Sequence, residues 1–125
     1  MNRDSTSSAH PGRSGYDLVY VISAGRQCKI GRTRNIRARL RAYRTHCAQA
    51  PKLRFYQVVP AAHAASLERH VHEKLEESRT NGEWFRLSAA AARRAIEESR
   101  VELGLPDYFF DEVKRVILVR EAPAA

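Results

Sequence analysis

The stretch Leu18 to Leu40, LVYVISAGRQCKIGRTRNIRARL, decides how the chain reads. It opens on five apolar or strand-favouring residues, Leu18, Val19, Tyr20, Val21 and Ile22. Ser23-Ala24-Gly25 follows as a turn, and Cys28-Lys29-Ile30-Gly31 comes back as a second short run. Two such runs, separated by a few residues that include a glycine, predict a β-hairpin. Beyond it the period changes. Ile36, Leu40 and Tyr43 recur at helical spacing, with Thr33 or Asn35 available as the N-cap. The opening unit is a hairpin feeding a basic helix.

Downstream, Leu53 to Val59 (LRFYQVV) alternates and is rich in aromatic and β-branched residues, which predicts a third strand closed by Pro60. Ala61 to Arg79 is expected as a helix, with Leu67, Val71 and Leu75 on one stripe. Asn81-Gly82 is a turn, and Glu83 to Leu87 a short extended piece carrying Trp84 and Phe85. Ser88 caps a second long helix, Ala89 to Leu103, stopped by Gly104 and Pro106. The expected class is α/β in the α+β sense, a small three-stranded antiparallel sheet flanked by helices.

Three segments follow. Residues 1–15 are polar and serine-rich and are expected as a flexible tail, because they bury too little apolar area to offset ordering. Residues 16–104 form the expected domain. Residues 105–125 are an extension in which Tyr108, Phe109 and Phe110 are apolar and Val113 to Val119 fits helix or strand equally. A chain of 125 residues suits one core. No apolar run approaches the ~20 residues of a membrane span, and the N-terminus lacks a signal-peptide core, so no membrane role and a cytoplasmic location are expected. Cys28 and Cys47 have no metal-binding spacing and are expected as reduced thiols.

Charge is unevenly placed. The chain carries a net +8, yet Leu18 to Leu67 holds ten basic residues and no acidic one, leaving a net −2 elsewhere. A near-neutral frame with one strongly basic half is the footprint of a polyanion partner, nucleic acid first. Solvated helices usually mix signs, and the first helix carries no compensating carboxylate. Arg32, Arg34, Arg37, Arg41 and Arg44 are the candidate nucleic-acid contacts.

Arg39 stands apart from them. It is three residues after Ile36 and four before Tyr43, on or beside the apolar stripe. A guanidinium at the edge of a buried face either pairs with a carboxylate such as Glu68 or lines a cleft, where its planar fork suits phosphate. Glu68 precedes Val71 by three and Leu75 by seven, so its carboxylate also faces inward, as a salt-bridge partner or a ligand to a hard cation. His72 shares that face. The run His72-Glu73-Lys74-Leu75-Glu76 lacks the second histidine of a zinc-protease motif. Tyr20 and Lys29 face each other if the hairpin pairs them, and an ammonium beside a phenol of pKa near ~10 lowers it toward use as a base.

Tyr20 in LVY, Lys29 in KIG nine residues later, Arg39 eight after Gly31, Glu68, His72 and Glu83-Trp84-Phe85 together resemble the GIY-YIG nucleases. The likeness is strongest to the phage-type branch, with a KIG second motif and a distal E…H…EWF. It spans roughly Asp17 to Leu87. Two positions depart from the pattern: Leu18 stands where the first motif has Gly, and Lys29 where the second has Tyr. The resemblance implies a metal-dependent endonuclease acting on nucleic acid, DNA first. It makes Tyr20 and Lys29 the residues that prepare the water and Arg39 the phosphate stabiliser. Glu68 becomes the single protein ligand to one Mg²⁺ or Mn²⁺, with His72 orienting it. Trp84 and Phe85 are expected in the core, Trp84 alternatively as a cleft wall or base-stacking surface. A catalytically inactive nucleic-acid-binding module on the same scaffold is the alternative, and an accessory subunit docking an acidic protein a weaker third. Target choice is expected to come from loops, the tail, a homodimer or a partner chain.

Overall fold

The unbroken apolar run of the first strand has a simple cause: β1 (Tyr16–Ala24) is covered on both faces. Leu18, Tyr20 and Ile22 point to one side, among Ile36 and Val58. Val19 and Val21 point to the other, among Leu67, Val71, Ala92 and Ile96. The computed structural model describes residues 15–45 and 49–121. The tail expected at 1–15 therefore lies outside the described residues except for Gly15, and so does Cys47.

β1 turns at Gly25 (φ 65°) into β2 (Gln27–Thr33), antiparallel, with Tyr20 opposite Gly31 and Ile22 opposite Lys29. A left-handed φ is cheap for glycine, which is why the tight turn falls there. α1 (Ile36–Arg44) starts at Asn35, whose side chain accepts from the Ala38 N–H, so Asn35 rather than Thr33 is the cap. Ile36, Leu40 and Tyr43 pack it onto the Tyr20 face of the sheet. β3 (Lys52–Pro60) pairs with the other edge of β1. α2 (Ala61–Lys74) and α3 (Ala89–Glu102) cover the opposite face through Ala64, Leu67, Val71, Ala92 and Ile96. Burying each Leu, Ile or Val side chain here contributes about 1.5–3 kcal/mol. Ser88 caps α3 by accepting from the Ala91 N–H, and Gly104 (φ 71°) ends it.

The α+β class is as expected, but the sheet is larger. It has seven strands in the order β4-β5-β2-β1-β3-β6-β7, each paired strand antiparallel to its neighbour. The helix expected to reach Arg79 stops at Lys74, passes through a 3₁₀ turn at Glu76–Ser78, and gives way to β4 (Arg79–Asn81). The cause is the Asn81-Gly82 turn: Gly82 sits at φ 57° and folds β4 back on β5 (Trp84–Phe85), which pairs with β2. At the C-terminal end, the stretch that fitted helix or strand is strand. β6 (Asp107–Asp111) and β7 (Val116–Arg120) form a hairpin that joins β3 through Val58 and Tyr108. Asp111 decides it, its carboxylate accepting from the Val113 and Lys114 N–H groups to close the turn.

Candidate active site

β5 is two residues long and pairs with β2 at Cys28 and Lys29. The edge of β2 then closes on two single contacts. The Ile30 N–H donates to the Glu83 carbonyl at 3.1 Å, and the Ile30 carbonyl accepts from His72 Nε2 at 2.7 Å. Next along β2 comes Gly31, and over it opens a cleft of 260 Å³ lined by Tyr20, Arg32, Arg39, Glu68 and Glu83. A Cβ on Gly31 would lie 2.6 Å from the Tyr20 hydroxyl and 3.0 Å from Glu83 Oε1. The missing side chain thus leaves room for a phenol and a carboxylate to meet over the strand.

Five elements supply the lining. β1 brings Tyr20, β2 Arg32, α1 Arg39, α2 Glu68, and the β4–β5 turn Glu83. Of the residues singled out from the sequence, Tyr20, Arg39 and Glu68 line this one cleft. Glu68 is largely enclosed, its side chain 14% exposed, and its partner is Arg32 through Nε to Oε1 at 3.2 Å. The arginine expected as a candidate pair for Glu68 was Arg39; the structure gives that place to Arg32. Burial and the neighbouring Glu83 charge hold the Glu68 carboxyl above its ordinary range, against the opposing pull of His72 and Arg32.

Tyr20 and Lys29 do not sit opposite one another. Tyr20 faces Gly31 and Lys29 faces Ile22, so the two are diagonal neighbours on one face. The Lys29 ammonium instead pairs with Glu83 Oε1 at 3.4 Å and lies 5.2 Å from the Tyr43 ring and 5.7 Å from the Trp84 ring. Trp84 is therefore a wall around Lys29, while Phe85 is the buried core residue. The expected lowering of Tyr20 is reversed. Burial first, then its hydrogen bond to Tyr43, push the phenol well above its ordinary range, and the Arg39 charge opposes them. Tyr20 is a neutral phenol in this protein.

His72 serves the sheet. A carbonyl can only accept, so Nε2 carries the proton, and the ring stacks at a tilt on Phe85 with centroids 5.0 Å apart. Arg34 pairs with Asp17 at 3.7 Å, and Arg37, Arg41 and Arg44 are exposed on α1. Cys28 is buried, its thiol pushed up by burial.

Two lining or adjoining residues escaped the sequence reading. Tyr43, taken as a core position, places its hydroxyl 2.9 Å from that of Tyr20. The available signal was its spacing, one helical turn after Arg39. Glu83 was read only as the start of an aromatic motif. A roomier cleft of 450 Å³ between β3, α3 and β6 has no comparable set: Arg93 pairs with Glu97 and Arg120 with Asp107 along its lining.

For metal chemistry the donors are the Glu68 and Glu83 carboxylates. Among the described residues no group of three or more His, Cys, Asp or Glu is gathered. Two carboxylates are fewer ligands than a caged zinc takes. No helix among the described residues is long and apolar enough to cross a membrane.

Comparisons with curated proteins and with solved structures gave no match. The T5orf172 domain matches residues 17–100, from the start of β1 to within α3, a span that holds every lining residue of the cleft. The chain belongs to the T5orf172 family, whose domain is related to phage nucleases.

Proposed function

We propose that the chain is a GIY-YIG-type endonuclease that hydrolyses phosphodiester bonds, in DNA before RNA, with one Mg²⁺ or Mn²⁺. One observation carries the reading: a phenol, a guanidinium and an enclosed carboxylate from three separate elements meet in one polar cleft over Gly31. A protein that only bound nucleic acid would have use for the arginines but not for Glu68 at their centre.

In this reading Arg39, carried by the N-terminal turn of α1, presents two parallel donors to the phosphate and so opposes the charge that builds up on its oxygens. Tyr20, neutral and tied to Tyr43, offers its oxygen to orient the attacking water. Lys29, held at the cleft's rim between Tyr43, Trp84 and Glu83, adds positive charge on the same side. Glu68 holds the divalent ion, which when bound supplies Lewis acidity toward the phosphodiester. Arg37, Arg41 and Arg44 track the nucleic-acid backbone away from the reacting phosphate.

The Arg32–Glu68 ion pair favours a second reading, a binding module in which Glu68 is only a structural partner. One experiment separates them. Supercoiled, linear, single-stranded and branched DNA are incubated with the protein and Mg²⁺ or Mn²⁺, with and without EDTA, alongside Glu68→Gln. The nuclease reading expects metal-dependent cleavage that Glu68→Gln abolishes while retaining or tightening DNA binding. Binding without cleavage on every form, or a Glu68→Gln chain that no longer folds, gives the case to the second reading.

A further inference from the structure

We propose that Glu83 is a second protein ligand to the divalent ion, joining Glu68 across Gly31; the proposal rests on the nuclease reading above. Glu83 lies in the β4–β5 turn, and its position is not left to the loop. Its carbonyl accepts the Ile30 N–H at 3.1 Å, so the backbone is pinned to the edge of β2 beside the cleft. Gly82 before it takes φ 57°, which reverses the chain there and turns residue 83 back toward β2. Its Oε1 then comes within 3.0 Å of the point that a Gly31 Cβ would occupy. Glu68 enters the same cleft from α2.

Bringing a second carboxylate up to the largely buried Glu68 is unfavourable for the protein alone, since like charges repel. A lone ion pair with Lys29 does not account for it. A partly exposed pair contributes only about 0–1 kcal/mol, and it could be made without placing Glu83 beside a second carboxylate. A dication reverses the balance, because each carboxylate has two oxygens and a hard ion takes one or two such ligands with waters and phosphate completing its shell. Arg32 occupies Oε1 of Glu68 and Lys29 occupies Oε1 of Glu83. The two cations therefore neutralise the pair in the protein by itself. With both carboxylates holding an ion, Arg32 and Lys29 would be free of their ion pairs and could meet phosphate. Metal and nucleic acid then favour one another's binding, because each relieves a charge the other leaves unpaired.

Mn²⁺ alone is the probe, titrated calorimetrically and by its EPR signal into the full chain carrying no substitution, Glu68→Gln, Glu83→Gln or Lys29→Met. Thermal unfolding in EDTA checks that each folds. Glu83→Gln is expected to weaken Mn²⁺ by about tenfold or more, the least that losing a carboxylate ligand should cost, while Lys29→Met leaves affinity unchanged or tighter. Should Glu83→Gln fail to fold, Glu83→Asp keeps the charge but withdraws the oxygens by one methylene, and weaker Mn²⁺ binding is again expected. Mn²⁺ affinity like that of the unsubstituted chain in Glu83→Gln or Glu83→Asp, with loss in Glu68→Gln, overturns this proposal and leaves the nuclease reading standing. Equal weakening by Glu83→Gln and Lys29→Met also overturns it, since Glu83 would then act only by anchoring Lys29. No Mn²⁺ uptake by the unsubstituted chain overturns the metal role of both carboxylates, and the cleavage assay judges the nuclease reading separately.

Discussion

The Tyr20 hydroxyl lies 2.9 Å from the Tyr43 hydroxyl, a bond that ties the buried middle of β1 to the last turn of α1. It fixes which way the Tyr20 oxygen faces, and with burial it keeps the phenol neutral. Tyr43→Phe removes that constraint and little volume. A hydrogen bond is worth about 1 kcal/mol net, so kcat is expected to fall roughly fivefold to tenfold with KM for DNA nearly unchanged. Tyr20→Phe, which removes the oxygen proposed to orient the attacking water, is expected to cost on the order of 10²-fold or more. Steady-state cleavage of one duplex substrate by both variants checks the ordering. If Tyr43→Phe proves as damaging as Tyr20→Phe, Tyr20 is not the residue that meets the water.

Gly31→Ala tests the cleft without touching any charged group. The φ of Gly31 is not in the left-handed region, so the backbone tolerates alanine. The obstacle is the 2.6 Å approach to the Tyr20 hydroxyl and the 3.0 Å approach to Glu83. Overpacking of this kind costs about 1–3 kcal/mol. Because the phenol is buried and bonded to Tyr43, it has nowhere cheap to go. The variant is expected to fold with a lowered Tm and to lose most cleavage while keeping DNA binding. Unchanged kcat in Gly31→Ala would show that the space over this residue is not where the chemistry happens.

Much of this arrangement can be read from the chain before any coordinates. The apolar run at 18–22, a cap at Thr33 or Asn35 and the stripe of Ile36, Leu40 and Tyr43 give β1, β2 and α1. Helical spacing puts Arg39 and Glu68 each beside its own helix's apolar stripe, but the two helices lie on opposite faces of the sheet and meet only at the cleft. What escapes has a common physical reason: the sequence pattern gives faces, not registers. Lys29 and Tyr20 share a face, but only the hairpin's register shows that Gly31, not Lys29, lies opposite Tyr20. Arg79 to Asn81 is polar and carries no strand signal, so β4 becomes visible only once the Gly82 turn has returned it to β5. Glu83 reaches the cleft because that turn aims it there. Arg32 takes Glu68 because neighbouring residues on β2 alternate faces, which sends its side chain toward α2 while Gly31 lies under Tyr20.

The exposed arginines of α1 make a separate prediction about binding. Each phosphate neutralised contributes about 0.9 to the slope of log affinity against log salt on duplex DNA. Changing Arg37, Arg41 and Arg44 together to Glu is expected to lower that slope by about 2–3 and to weaken binding at low salt, with the unfolding temperature little moved. Fluorescence anisotropy across a salt series measures both. An affinity that is flat with salt in the unsubstituted chain would mean that the basic half serves a partner other than nucleic acid.

The most discriminating comparison lies two residues apart in one helix. Arg37 and Arg39 are both exposed on α1, but only Arg39 lines the cleft, and the same change, Arg to Lys, keeps the charge at both. Lys offers a point charge on a flexible stem, whereas a phosphate crowded with developing charge is best met by two donors held in a plane. Removing one preorganised donor from such a site costs on the order of 10²–10³ in kcat, and Arg39→Lys is expected to show that loss. The net charge of the basic stretch is the same in both variants, so long-range attraction of DNA should not change, and KM should move little in either. Arg37→Lys is expected to cleave within about twofold of the unsubstituted protein, as exposed substitutions away from the site usually do. Single-turnover cleavage at saturating enzyme separates chemistry from binding in both. Equal rates in the two variants would break the assignment of Arg39 to the reacting phosphate, because nothing but its place on the helix distinguishes it from Arg37.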